Sequence, residues 1–250
     1  MPTIEGGSGS WDTSERVALG RHFVRDMEHL WEQLLKLSAV VETSLTHSIR
    51  ALVENRPDLV AEVRSEEAEI NNWEVQIELD CLKVLALHNP VASDLRRVAA
   101  ILKIDGDLER MGDLADHIAK RARKMANEPN PIPMPPRLES LAQEALSQVH
   151  KALDALARND VELARNVIVL DRQVDTHRRL LQREFKDAIR RQPERINTWL
   201  RLINISRNLE RVSDHATNIA EAVVYLKEGR IIRHDRSRAA RTEPETDTED

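Results

Sequence analysis

The stretch Asp105-Gly-Asp-Leu-Glu-Arg-Met-Gly-Asp-Leu-Ala-Asp-His-Ile-Ala119 carries four carboxylates, Asp105, Glu109, Asp113 and Asp116, at i, i+4, i+8 and i+11. On a helix these fall in one stripe. Like charges at that spacing destabilise a bare helix by roughly 0.2–0.5 kcal/mol per pair, so a helix that keeps them needs a counter-charge. A metal cation is one candidate. The stretch recurs 101 residues later as Asn208-Leu-Glu-Arg-Val-Ser-Asp-His-Ala-Thr-Asn-Ile-Ala220, with Leu, Glu, Arg, Asp, Ala, Ile and Ala in the same places.

The apolar residues around the motif decide the fold. Ile101, Ile104, Leu108, Met111, Ala115, Ile118, Ala122 and Met125 are spaced 3-4-3-4, and adding 101 gives Leu202, Ile205, Leu209, Val212, Ala216, Ile219, Val223 and Leu226. A mean period of 3.5 residues belongs to a helix packed nearly parallel or antiparallel to long neighbours in a left-handed bundle. With about 100° per residue and Leu108 as zero, the apolar stripe centres near about −30° and Glu109, Asp113 and Asp116 lie near about 80–140°. The acidic stripe is therefore expected to flank the core and face an open surface.

Working outward, the same logic organises the rest of the chain. Residues 1–13 read as a flexible lead. A first helix runs to about residue 55, with Leu30, Leu34, Leu37, Val41, Leu45, Ile49 and Leu52 as its apolar stripe. Arg56-Pro57-Asp58 breaks it, since proline clashes with a continuing helix and restricts the residue before it. A second helix reaches His88 with Val63, Ile70, Ile77, Cys81 and Val84 inward. After Asn89-Pro90, Ser93 or Asp94 is expected to cap a third helix ending near Ala126. Residues 127–136 (NEPNPIPMPP) hold too much proline for a helix and read as a semi-rigid linker. Three more helices follow, over about 137–158 and 161–191 and then to about 228, with Gly229 as a stop. Glu67, Ile70 and Asn71 match Asp171, Val174 and Asp175 at an offset of 104, so the duplication extends upstream of the motif. The expectation is an all-α protein of two tandem three-helix repeats, 14–126 and 137–228. The tail 229–250 has almost nothing to bury and reads as disordered.

Composition excludes several classes. The formal charge is −6 and no basic patch with interleaved aromatics occurs, which argues against a nucleic-acid binder. No window approaches 18 uncharged apolar residues, so no membrane insertion is expected. The lone Cys81 fits a reducing cytoplasm and a place in the core. Phosphate-binding glycine loops, nucleophile elbows, Cys/His zinc spacings and Ser/His/Asp constellations are absent, so nothing reads as a catalytic engine.

Carboxylate-only ligands on helices suit hard cations, and the Glu-x-x-His pairs of di-iron carboxylate bundles are missing. Glu109, Asp113, Glu210 and Asp214 are the primary metal candidates, with Asp116, Glu67, Asp171 and Asp175 in support. Glu67, Asn71, Glu74 and Glu78 make a second polar stripe, echoed only in part by Asp171 and Asp175. Arg110 and Arg211 follow the motif glutamate in each repeat and read as structural partners holding carboxylates. His117 and His215 occupy non-equivalent repeat positions and are left out of the ligand set.

With Glu109-Arg-Met-Gly-Asp113 and Glu210-Arg-Val-Ser-Asp214 in two bundle repeats, the chain resembles the PhoU family of phosphate-signalling proteins. Asn89-Pro-Val-Ala-Ser-Asp-Leu-Arg-Arg97 resembles the family's approach to its first motif, and the likeness covers about residues 15–228. The resemblance implies a cytoplasmic regulator, not an enzyme. It would act between a phosphate ABC transporter and a membrane sensor histidine kinase, as a negative regulator of phosphate-starvation genes. It also implies a homodimer, and clusters of Fe, Mn or Mg ions at Glu109, Asp113, Glu210 and Asp214. Thr217 stands where the first repeat has Asp116, so the two sites differ in charge. A metal-free docking scaffold and a di-metal enzyme are the other readings that the same residues leave open.

Overall fold

Proline and αL caps cut the chain into six long helices. In the computed structural model, which describes residues 13–232, these are α1 (Thr13–Val53), α2 (Val60–His88), α3 (Ala92–Ala126), α4 (Pro136–Arg158), α5 (Val161–Arg191) and α6 (Ile196–Glu228). Short 3₁₀ turns at Pro57–Leu59 and Pro193–Arg195 precede α2 and α6. The lead 1–12 and the tail 233–250 lie outside the described residues. No strand occurs among those that are described. Asn89, Asn159 and Gly229 end α2, α4 and α6 in the left-handed conformation, where glycine and asparagine meet the smallest penalty.

Every residue of the apolar stripes read for α1 and α2 is buried. So are those of α3 and α6, except Leu226, which is partly covered. Full burial of a Leu or Ile side chain is worth roughly 1.5–3 kcal/mol, which is how such lightly capped helices hold. Cys81 lies in this core, and burial pushes its thiol up to about 12, with Asp105 next among the causes. Trp31 and Trp73 pack against the core edge, and Trp199 meets Phe185 with ring centroids 6.0 Å apart.

Two cores form, and neither belongs to one repeat. The first joins α1, α2 and the N-terminal two-thirds of α3 to the C-terminal parts of α4 and α6. The second joins the starts of α4 and α6 and much of α5 to the C-terminal ends of α1 and α3. Consequently α3 and α6 run antiparallel through the middle of the molecule, α1 touches α4, and α2 and α5 lie outermost, one on each repeat.

Three local expectations need correction. Neither Ser93 nor Asp94 caps α3: Val91 is its N-cap without a side-chain bond, and Ala92 takes φ +46° to turn the chain into the helix. Asp94 sits in the first turn, where it favours the positive end of the helix dipole without a cap. The tail does not leave the fold at Gly229, because Ile232 packs into the first core. Asp116 is also buried, and it pairs with Lys120 one turn on.

Candidate acidic sites

Because α2 packs on α3 and α5 on α6, each motif stripe faces a second helix that also carries acids. In the first repeat five carboxylates gather in this way. Glu74 and Glu78 come from α2, and Asp105, Glu109 and Asp113 from α3. Asp105 is only 1% exposed and its Oδ1 has no hydrogen-bond partner. Burial, then the charges of Glu74, Glu78 and Glu109, push its carboxyl up to about 8. Glu109 is also raised, by burial first and then by Asp113 and Glu74; Glu74 is raised by burial, Glu78 and Asp113. Gly112 lets the helices approach closely: a Cβ there would stand 2.8 Å from Ile70 Cδ1 on α2. Among the described residues none of these five carboxylates makes an ion pair.

The second repeat is built differently. Asp214 keeps an exposed side, yet desolvation by its neighbours first, and then the charges of Asp171, Glu210 and Asp175, push it up to about 6. Here protein groups meet the charge. Arg178 on α5 donates from Nη2 to Glu210 Oε1 at 2.5 Å, and from Nη1 to Gln182 Oε1 at 3.1 Å. Thr217 donates to Asp171 at 3.3 Å, and Arg179 lies 3.6 Å from Asp175. Gln148 on α4 ties in by donating to Thr217 Oγ1 at 3.0 Å and accepting from Ser213.

Of the residues singled out in sequence, Glu109 and Asp113 are brought together, as are Glu210, Asp214, Asp171 and Asp175. Asp116 is turned into the interior, against the expectation of an open acidic face. Glu67 stays half-buried on α2, outside the group whose charges perturb one another. Arg110 and Arg211 do not hold carboxylates: both are exposed and make no ion pair among the described residues, though Arg110 lowers Glu74 and Glu109 from a distance. His215 contacts Asp107 Oδ1 at 2.8 Å and Asn218 donates to it at 3.0 Å, pinning α6 to α3. Glu74, Glu78 and Asp105 belong to the site although none was a primary candidate. Their i, i+4 spacing was the available signal.

The donor set of the first site suits a hard cation, and a buried carboxylate oxygen without a partner is a group such an ion would satisfy. As they stand, no three Asp, Glu, His or Cys side chains among the described residues are gathered tightly enough to ligate one ion.

Residues 34–122 and 138–223 each match the model of the PhoU domain. The chain belongs to the PhoU family. The "phosphate-specific transport system accessory protein PhoU homolog" of Pseudomonas aeruginosa is 34% identical over 216 residues, 86% of this chain and 89% of that protein. Its Deinococcus radiodurans counterpart is 37% identical over 210 residues, covering 82% and 95%. The crystal structure of PhoU from Pseudomonas aeruginosa superposes with a TM-score of 0.81 at 35% identity, over 83% of this chain and all of that one. A phosphate transport system regulatory protein PhoU from Streptococcus pneumoniae gives 0.76 at 28% identity, over 84% and 98%. These relatives are named as accessory or regulatory proteins.

Proposed function

We propose that this PhoU-family chain is a cytoplasmic, non-enzymatic adaptor of a phosphate transport system that binds hard metal cations on its acidic stripes. In this reading it docks on cytoplasmic components of a phosphate ABC transporter and on a sensor histidine kinase. Through them it holds phosphate uptake and phosphate-starvation signalling down. The names of its relatives support the transport and regulatory parts. The lack, among the described residues, of any helix long and apolar enough to cross a membrane agrees with action through partners.

The observation that carries the metal part is the α2–α3 site, where the charges of Glu74, Glu78 and Glu109 bear on Asp105, whose buried Oδ1 has no partner. The resemblance assigns Fe, Mn or Mg to Glu109 and Asp113 and to Glu210 and Asp214. A bound cation would turn a repulsive acidic face into one that attracts phosphate or a partner's carboxylates. Occupancy would then shift which partner state is bound, provided the two states are bound with different affinity.

The dimeric part rests on α2. Its outer face carries Ala68, Asn72, Val75, Leu79, Leu82 and Ala86, all exposed and spaced 4-3-4-3-4. This second seam, opposite the core, fits a long helix of another copy.

The test is the metal content, by elemental mass spectrometry, of untagged protein against a variant with Glu109, Asp113, Glu210 and Asp214 all changed to alanine. Near-stoichiometric metal in the wild type, lost in a folded variant, is expected. No metal in either, after soaking with Fe³⁺, Mn²⁺ or Mg²⁺, would leave a docking scaffold.

A further inference from the structure

We infer that the two acidic sites have diverged in kind: the α2–α3 site takes the cation, whereas in the α5–α6 site Arg178 stands in the cation's place and keeps metal out. The inference rests on the metal-binding reading above and assigns each repeat a different part in it.

The two offsets of the duplication make the comparison residue by residue. An offset of 104 lays α2 on α5 and pairs Glu74 with Arg178 and Glu78 with Gln182. An offset of 101 lays α3 on α6 and pairs Asp105 with Ser206, Glu109 with Glu210 and Asp113 with Asp214. The motif acids are thus kept in both sites, and the acids Glu74, Glu78 and Asp105 around them are replaced in the second by a basic or neutral residue; the opposite change, Asn71 to Asp175, is met by Arg179 at 3.6 Å. Glu74, which acts electrostatically on Glu109 in the first repeat, becomes a guanidinium bonded to Glu210 in the second. Glu78 becomes a neutral amide, whose oxygen accepts from that same guanidinium and fixes its direction. Asp105, with its unpartnered oxygen, becomes Ser206, whose hydroxyl is satisfied by the Ile203 carbonyl at 2.8 Å.

Arg178 and Glu210 are both mostly buried, with side chains 22% and 18% exposed. The guanidinium is planar and permanently charged, so it cannot step aside by losing a proton. A cation entering beside Glu210 would have to displace it and leave a positive charge in a partly buried place, which disfavours the exchange. In the first site no basic side chain among the described residues pairs with the acids, Arg110 acting on Glu74 and Glu109 only from a distance. The same motif therefore serves two purposes: as an ion pair it braces α5 on α6, and as an unneutralised cluster it waits on an ion between α2 and α3.

The test uses Mn²⁺ as probe on the full-length chain, with stoichiometry read by elemental mass spectrometry and folding by circular dichroism. Glu109→Gln with Asp113→Asn should abolish tight Mn²⁺ binding, whereas Glu210→Gln with Asp214→Asn should retain it. Arg178→Glu with Gln182→Glu, which copies the first repeat's acids into the second, should raise bound Mn²⁺ about twofold. Equal loss in the first two variants, or a folded third variant with unchanged Mn²⁺, overturns the divergence and leaves the metal-binding reading standing. No Mn²⁺ on any protein overturns both. Should the third variant fail to fold, the first two decide the matter alone.

Discussion

Replacing Asp105 by asparagine tests the electrostatics of the first site without changing its shape. The wild-type carboxyl has its pKa pushed from 3.8 in the unfolded chain to about 8 in the fold. Above pH 4 the unfolded chain gains by releasing a proton that the fold retains. This group's contribution is therefore fully present below about pH 4 and falls by about 1.4 kcal/mol per unit until about pH 8. At pH 7 the accumulated loss is about 4 kcal/mol. Asparagine has no proton to lose, but leaves a buried amide short of partners, at about 1–3 kcal/mol. The balance makes Asp105→Asn equal to or less stable than wild type below about pH 5, and more stable by about 1–3 kcal/mol at pH 7. Asp214 titrates in both proteins and cancels from the difference. Urea unfolding followed by circular dichroism from pH 4.5 to 8, with chelator present, reads the two curves. They should cross between about pH 5 and 6. Curves that stay parallel across the range would refute the claim that Asp105 carries its proton in the fold.

Other substitutions read other parts of the structure. Ala92→Gly should stabilise by about 1 kcal/mol in thermal unfolding, because alanine at φ +46° is penalised where glycine is not. Asp160→Ala should cost about 1 kcal/mol, since its carboxylate accepts from Leu163 N at the start of α5. Gly112→Val should destabilise by about 1–3 kcal/mol in a urea titration, because its Cβ would strike Ile70 and force α2 from α3. Leu79→Lys, on the exposed seam of α2, should keep the helical content unchanged by circular dichroism and move sedimentation from dimer to monomer; an unaltered dimer would place the interface elsewhere.

Much of the fold was legible because its signals are local. The 3-4 spacing of Ile101 to Met125 names the buried face of α3 from the side chains of α3 alone, and Pro57, Pro193 and Gly229 mark boundaries by their own backbone constraints. The site was harder because it is made between helices. An angular reading of an isolated α3 puts Asp116 beside Glu109, yet Asp116 is 2% exposed and Glu109 is only partly covered. The angle gives a direction, and the neighbouring helices decide what lies there. For the same reason Glu74 and Glu78 read as a solvated stripe until α2 is laid against α3. Arg110, adjacent to the motif in sequence, is exposed and makes no ion pair with its carboxylates, while Arg178, 32 residues from Glu210, reaches it. The replacement of Glu74 by Arg178 was visible at the 104-residue offset, but its meaning depended on knowing what Glu74 faces.

The sharing of both cores between the repeats carries a consequence for ancestry. Two identical three-helix chains that cross their third helices antiparallel, each completing the other's interior, make a symmetric dimer. Residues 127–135 join such a pair into one polypeptide. In an unfused pair every mutation is made twice at once, so an arginine beside one motif glutamate would also sit beside the other. Fusion removes that constraint and lets one half try a residue while the other keeps the ancestral part. It also forbids return: a half cut free at 127–135 would bare the flank on which its former twin once lay.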